Sequence, residues 1–183
     1  MADKKELPYP SFSFYMRCLS PKNITPKMVV GSINDIFPNE LEALGIRALV
    51  IDVDNTICPY GGVSVDERVE KRFRVLTKYF KSCLLSNTDA ERMRDLERYF
   101  GIPAIQAGYR KPLPGAFIQA LDYLGTEPRN TAMIGDRLLS DIAGANMIGL
   151  LTIKVDPLSK GSEPRTHSVV RRFEDFVLRL YLH

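Results

Sequence analysis

Short apolar runs that stop abruptly at polar clusters alternate, along most of this chain, with stretches whose apolar residues recur at three- and four-residue steps. That alternation limits the fold more than any other feature. The runs Ala48-Leu49-Val50-Ile51, Cys83-Leu84-Leu85, Ala132-Met133-Ile134 and Leu150 to Val155 have the length of buried strands, and Ile102 to Gln106 that of a short one. Between them, Val65, Val69, Phe73, Leu76 and Phe80 make Asp66 to Phe80 an amphipathic helix. Met93, Leu96 and Phe100 mark a second helix, which opens after Asn87-Thr88-Asp89 and ends at Gly101. Phe117, Ala120, Leu121 and Leu124 mark a third, ending at Gly125. A short helix over Asp141 to Met147 and a last one carrying Val170, Phe173, Val177 and Leu180 complete the series. Strands alternating with helices of this length build parallel βαβ units, so the spacing predicts an α/β fold, a three-layer αβα sandwich around a central, mostly parallel sheet. Ligands of such sheets bind at the carboxyl ends of the strands.

The exception is Leu7 to Lys27, with four prolines and the aromatics Tyr9, Phe12, Phe14 and Tyr15. It reads as an irregular arm leading into a helix near Met28 to Phe37. The chain thus divides into residues 1–40, arm and helix, and 41–183, the sandwich domain. At 183 residues there is room for one such domain and no second large one.

Composition narrows the chemistry. The longest apolar stretch, Met147 to Ile153, is far short of the roughly 20 residues a bilayer span needs. Cys18, Cys58 and Cys83 are odd in number and widely spaced, which indicates neither a disulfide framework nor a zinc site, and they read as buried apolar residues. With only His167 and His183 available, imidazole chemistry is improbable and any metal must be held by oxygen. A net charge of +3 favours a polyanionic or membrane-surface substrate mildly and is too small to indicate nucleic acid.

Four polar groups sit at the predicted strand ends. Asp52 and Asp54, with Thr56, follow the first run; carboxylates two apart repel, so a chain that gathers them beside a core strand has a cation or a reaction for them. Ser86-Asn87-Thr88 offers a hydroxyl and free backbone N–H groups at a helix start, a donor set of phosphate size. In Arg110-Lys111-Pro112 the proline keeps Lys111 extended and delivers its ammonium to a helix N-terminus. Gly135-Asp136-Arg137, followed by Asp141, brings two more carboxylates. Singly, each has an ordinary explanation: Asp54 or Asp141 as a cap or surface acid, Ser86 as a turn residue, Lys111 as a solvated charge. Together, on one sheet edge and in this order, they suit phosphoryl transfer.

In the form DVDNT, LLSN, RKP and GDRLLSD, these groups resemble the four motifs of the haloacid dehalogenase superfamily of phosphotransferases, over about Ala48 to Val155. The resemblance implies that family's Rossmann-like fold, with Asp52 as nucleophile and Asp54 as general acid and base. It also implies phosphate binding by Ser86 and Lys111, with Thr56 and Asn87 beside them, and a Mg²⁺ site from Asp52, Asp136 and the backbone carbonyl of Asp54, supported by Asp141. The chemistry agrees. A carboxylate approaching a phosphate dianion is repelled unless a cation and an ammonium screen it, and Mg²⁺ prefers oxygen ligands. Two readings compete with a phosphatase. A signalling receiver domain also uses an aspartate, a hydroxyl, a lysine and Mg²⁺, but its acidic pair and its phosphorylated aspartate lie on different strands. A catalytically silent binding module would lack a motif residue, and none is missing here.

The intervals Thr56 to Ser86 and Ser86 to Lys111 are each filled by the predicted elements, so no large cap domain fits and the site should admit a bulky substrate. Pro59-Tyr60-Gly61-Gly62 is either a small flap over the opening or an ordinary turn. RKPLPGAF, GDRLLSDIAGAN and the basic C-terminal helix are similar to the YqeG-like branch, which includes phosphatidylglycerophosphate phosphatases. This implies an anionic phospholipid headgroup as the phosphorylated substrate, with a sugar phosphate, a nucleic-acid end or a phosphoprotein as the alternatives. The arm's aromatics, flanked by Arg17, Lys22 and Lys27, suit a membrane interface or pack on the domain, and Arg165, Arg171, Arg172 and Arg179 add attraction to anionic headgroups or form a solvated face. Asp3 and Glu6, with no apolar core behind Lys4-Lys5, argue against a secretory signal or an uncleaved transit peptide. The expectation is a cytoplasmic protein with peripheral membrane association, or a mitochondrial matrix protein whose transit peptide has been removed.

Overall fold

The computed structural model describes residues 9–62, 64–159 and, in a C-terminal helical segment, 172, 174, 176, 177 and 179. Val170, Phe173 and Leu180 of the expected last helix, with Arg165 and Arg171, lie outside the described residues.

The chain begins with α1 (Phe12–Cys18) and α2 (Pro21–Ile24), followed by a short strand, β1 (Met28–Val30). Two expectations are corrected here. The arm is helical rather than irregular because Ser11 accepts a hydrogen bond from the Phe14 N–H and caps α1. The helix expected near Met28 to Phe37 is a strand and a single 3₁₀ turn. Val29 and Val30 are β-branched and favour extended backbone, and Ser32 and Asp35 then form a reciprocal capping box around Ile33–Asp35. Pro38 opens α3 (Pro38–Ala43).

The remaining order is β2 (Ala48–Ile51), α4 (Glu67–Tyr79), β3 (Lys81–Leu84), α5 (Ala90–Phe100), α6 (Pro114–Leu124), β4 (Thr131–Gly135), α7 (Gly144–Met147) and β5 (Leu151–Val155). These follow the predicted helices and strands with two differences. Ile102 to Gln106 makes only a single bridge, Ala104 beside Leu84, because Pro103 has no N–H to continue a ladder. Of the expected helix over Asp141 to Met147 only Gly144–Met147 is α-helical, and residues 141–143 belong to a wider π-helical stretch, Leu138–Ala143.

All strand pairs are parallel, in the order β1-β5-β4-β2-β3. Side chains alternate between two cores. Leu49 and Ile51 of β2 face one with Phe73 and Leu76 of α4, Met93 and Leu96 of α5, and Ile33; Ala48 and Val50 face the other with Phe117, Ala120 and Leu121 of α6. The result is the predicted three-layer sandwich. On α4, Val69, Phe73 and Leu76 recur at helical spacing and are at most 2% exposed, each contributing about 1.5–3 kcal/mol by leaving water. α5 and α6 stop where Gly101 and Gly125 take φ of 68° and 60°, which a side chain would resist.

A third, smaller core joins Ile24 of α2 to Leu138 and Ile142 of the π-helical stretch and to Val177. It brings the N-terminal segment into the domain. Register then sets the functional edge. Ile51 lies opposite Leu84 and Ile134, so the residues after β2, β3 and β4 emerge side by side, where the chain leaves β2 toward opposite neighbours.

Asn146 pins the N-terminal segment to this sheet, donating to the carbonyls of Asn23 (2.6 Å) and Thr25 (2.9 Å) and accepting from Thr152 Oγ1 (2.9 Å). Asn146→Ala removes a bond from each of the two carbonyls and the acceptor of the Thr152 hydroxyl, which keeps the bond it accepts from the Lys27 N–H, and should cost about 2–3 kcal/mol in urea unfolding, with faster proteolysis before Lys27. An unchanged midpoint and unchanged cleavage would show the pin to be dispensable.

Candidate active site

Asp52 leaves β2 at 6% exposure, its N–H bonded to the Ile134 carbonyl at 2.9 Å. The chain turns sharply after it. The Val53 carbonyl accepts from the N–H groups of Thr56, Ile57 and Cys58, and Asn55 takes φ of 62°, a left-handed conformation that asparagine tolerates better than most residues. Within that turn the Thr56 hydroxyl, 1% exposed, donates to Asp52 Oδ2 at 3.1 Å. The hydroxyl of Thr56, a residue expected beside the substrate, is thus hydrogen-bonded to Asp52.

The Lys111 ammonium bridges two carboxylates, Asp52 Oδ1 at 2.5 Å and Asp141 Oδ1 at 2.7 Å. Its backbone is held by Asn87, whose amide donates to the Lys111 carbonyl (3.0 Å) and accepts from the Lys111 N–H (2.8 Å). Asn87 therefore ties the second polar group to the third, and both ends of its amide are engaged. Ser86 beside it is half-buried and lines the cleft.

Asp141, fully buried, accepts from the Arg137 N–H at 3.0 Å and from Ser140 Oγ at 3.2 Å. It lies so close to Gly135 that a Cβ there would come within 2.5 Å of Oδ2. The glycine is thus required by Asp141 itself. Asp52, Asp136 and Asp141 each offer an oxygen within 4.8 Å of the others. Asp54 turns away. Its carboxylate takes a two-pronged bond from Arg92, 2.7 Å on each arm, and the Gly61 N–H at 2.8 Å. Arg92, which the sequence reading missed, sits on the first turn of α5, capped by Asp89. Glu174 was also missed. It is 3% exposed and accepts from Arg137 Nε (3.0 Å) and the Leu139 N–H (2.9 Å), bracing the loop that carries Asp136 and Asp141.

Electrostatics follow from this crowding. Burial raises the Asp52 carboxyl from 3.8 to about 6, against the lowering pull of Lys111. Burial alone would weaken the Lys111 ammonium, but Asp141 and Asp52 outweigh it and raise its pKa. The cysteines take no part: burial lifts the thiols of Cys58 and Cys83 to about 12, and all three are buried as expected. Three buried carboxylates against one ammonium leave an excess of negative charge with oxygen-only donors, and that set fits a hard divalent cation. The cluster opens into a cleft of about 840 Å³ whose rim includes Tyr9, Tyr60, Arg92, Arg110 and Arg137. Among the described residues no cap domain intervenes: α4 with β3, and α5, fill the two intervals.

A family model described as mitochondrial PGP phosphatase matches residues 12–159. The chain belongs to this family. It is 30% identical over 161 residues to phosphatidylglycerophosphate phosphatase 1, chloroplastic, of Chlamydomonas reinhardtii, covering 82% of this chain and 60% of that one. The mitochondrial phosphatidylglycerophosphatase of Saccharomyces cerevisiae is 30% identical over 164 residues (77% and 86%), and the probable phosphatase YqeG of Bacillus subtilis 29% over 139 residues (75% and 80%). The chain thus spans less than two thirds of the algal protein's length. Membership of a PGP phosphatase family sets the receiver reading aside. No helix among the described residues of this family member is long and apolar enough to cross a membrane.

A carboxyl raised above its unfolded value holds more protons folded than unfolded between those two pH values, so the contribution of Asp52 to stability falls as pH climbs from about 4 to about 6. Added Mg²⁺ offsets that loss near neutrality but must displace a proton in acid. Mg²⁺ should raise Tm by several degrees at about pH 7.5 and by much less at about pH 5, and Asp141→Asn should remove the difference. Equal shifts at both pH values in scanning calorimetry would refute a site built on Asp52.

Proposed function

We infer that this chain is a Mg²⁺-dependent phosphatase that removes the terminal phosphate of phosphatidylglycerophosphate to give phosphatidylglycerol. The observation that carries the reading is the buried Asp52, held by Thr56 and Lys111 at a strand end and facing an open cleft, in a chain of the PGP phosphatase family.

The residues divide the work. Asp52 Oδ attacks phosphorus in line, forming an aspartyl-phosphate while the bond from phosphorus to the glycerol oxygen breaks. Asp54 gives the leaving oxygen its proton, then takes one from the water that attacks the same phosphorus, releasing inorganic phosphate and restoring Asp52. Arg92 positions Asp54 for both tasks through its two-pronged bond. Lys111 supplies a fixed positive charge beside the attacking oxygen, and Ser86 offers a hydroxyl to the phosphoryl oxygens. Asp52, Asp136 and Asp141, with the Asp54 carbonyl, would hold the magnesium, which would supply Lewis-acid charge to offset the repulsion between carboxylate and phosphate.

The uncapped cleft suits a headgroup presented by a membrane. α1 supports that placement. Phe12 is 81% and Met16 53% exposed, with Tyr9, 70% exposed, just before the helix and Arg17, Lys22 and Lys27 nearby in sequence, an amphipathic surface for an anionic interface. Of the aromatics expected either to pack or to anchor, Tyr9 and Phe12 are largely exposed, while Phe14 is half-buried and Tyr15 lines the cleft.

In a phosphate-release panel of phosphatidylglycerophosphate, phosphatidic acid, sugar phosphates and phosphopeptides, the first should be preferred and should require Mg²⁺, and Asp52→Asn should lower kcat by about 10⁴-fold or more. Preference for a sugar phosphate would overturn the lipid reading. Phe12→Ser with Met16→Ser should weaken sedimentation with anionic vesicles by about tenfold, while anchoring by α1 is refuted if sedimentation is unchanged.

A further inference from the structure

Of the cations around the cleft, Arg110 differs from the rest. Lys111 is committed to Asp52 and Asp141, Arg92 to Asp54, and Arg137 to Glu174. Arg110 makes no ion pair among the described residues, and its Nε is buried without a hydrogen-bond partner. Its guanidinium nevertheless has a neighbour, lying over the Tyr9 ring 4.8 Å from its centre. A planar, preorganised cation with open donors, one residue from the catalytic lysine, is built to receive an anion.

The surroundings say which kind. Tyr9 and Pro10 line the catalytic cleft and also a second, mainly apolar groove of about 640 Å³, bordered by Phe14, Leu113 and Ile118. The two therefore meet at the Tyr9–Arg110 platform. Going outward, the protein presents the acidic cluster with Lys111, then a single unpaired cation on an aromatic ring, then an apolar channel. A molecule matching that order carries a terminal phosphomonoester, a second anionic group a short linker away, and an apolar end.

We propose that Arg110, braced by Tyr9, binds the internal phosphodiester of the phospholipid substrate and so selects a doubly phosphorylated headgroup over a lipid bearing a phosphomonoester alone, with the acylglycerol end entering the groove beside Tyr9. The assignment rests on the substrate reading above and adds to it the residue that discriminates. Lys111 and the acidic cluster handle the phosphate being removed, which every phosphomonoester has. Arg110 handles the group that only some possess.

The test compares two soluble short-chain lipids, dihexanoyl phosphatidylglycerophosphate and dihexanoyl phosphatidic acid, in full-length protein with Mg²⁺. The quantity read is the ratio of their kcat/KM values. Arg110→Gln should lower that ratio about 10- to 100-fold, mainly through KM for the diester-containing lipid, as loss of a charge-assisted pair predicts. Arg110→Lys, which keeps the charge but not the planar fork, should lower it less. Melting temperatures of both variants identify any that are misfolded, and the lysine variant then carries the test. A ratio within twofold of wild type in Arg110→Gln overturns the proposal, and so does an equal fall on both lipids, which would mean that Arg110 acts only by positioning Lys111. If the wild-type protein shows no preference for the diester-containing lipid, the substrate reading itself fails and the selection role with it. If the preference is present and survives the substitution, the assignment to Arg110 alone is wrong.

Discussion

The bridge from the Lys111 ammonium to Asp52 and Asp141 is the interaction on which the rest of the structure depends. Three acidic side chains, Asp52, Asp136 and Asp141, lie in a space where oxygens are within 4.8 Å of one another and almost no water reaches them. Removing one partner from a buried ion pair typically costs about 3–5 kcal/mol, because the charge left behind cannot be solvated. The fold therefore invests in placing Lys111. Asn87 grips its backbone from the loop after β3, and Pro112 and Pro114 lead directly into α6. A parallel sheet makes this economical, since β2, β3 and β4 in register present their following loops at one edge.

Two aspartates two residues apart receive opposite environments from one tight turn. Asn55 in the left-handed region and three N–H groups converging on the Val53 carbonyl send Asp52 inward and Asp54 outward. Asp52 meets burial, a hydroxyl and an ammonium; Asp54 meets a guanidinium at the cleft wall, about one-fifth exposed. The mechanism proposed above needs this separation, between a nucleophile that its own neighbour must not protonate and an acid and base that exchanges protons with water. The intervening Val53, fully buried, anchors the turn between them.

Much of this was legible in the sequence because the signals were local. Periodicity located α4, α5 and α6, and the glycines at 101 and 125 marked two ends. The strand-end positions of Asp52 and Asp136 followed from where apolar runs stop, whereas Lys111 precedes α6 and Asp141 lies in the π-helical stretch. What was not legible depended on tertiary partners or on capping chemistry that competes with pattern. Met28 to Phe37 has apolar residues at spacings a helix could use, yet the Ser32–Asp35 box and Pro38 divide it, and β5 supplies the neighbour that makes β1 a strand. Arg92 looks like any exposed helical arginine until Asp54 is placed opposite it, and Glu174 lies 35 residues along the chain from Leu139, whose N–H it accepts. Thr56 and Asn87 were expected among the substrate-binding residues; the hydrogen bonds that tie them to Asp52 and Lys111 are a further role that spacing does not encode.

The N-terminal segment links the surface of the molecule to the chemistry. Ile24 shares a small core with Leu138 and Ile142, which flank Asp141, and with Val177, so the seat of α2 and the seat of the acidic loop are one packing unit. Tyr15 of α1 forms part of the cleft wall, with Tyr9 and Pro10 before the helix and Leu19 after it, while Phe12 and Met16 of the same helix are exposed. One element thus presents apolar groups to a proposed membrane and aromatic groups to the site. On the proposed reading, a substrate whose two ends belong in different phases is held without leaving either. Water remains excluded where it matters most, at the floor of the cleft, because Asp52, Lys111 and Asp141 are buried by the protein itself before any ligand arrives.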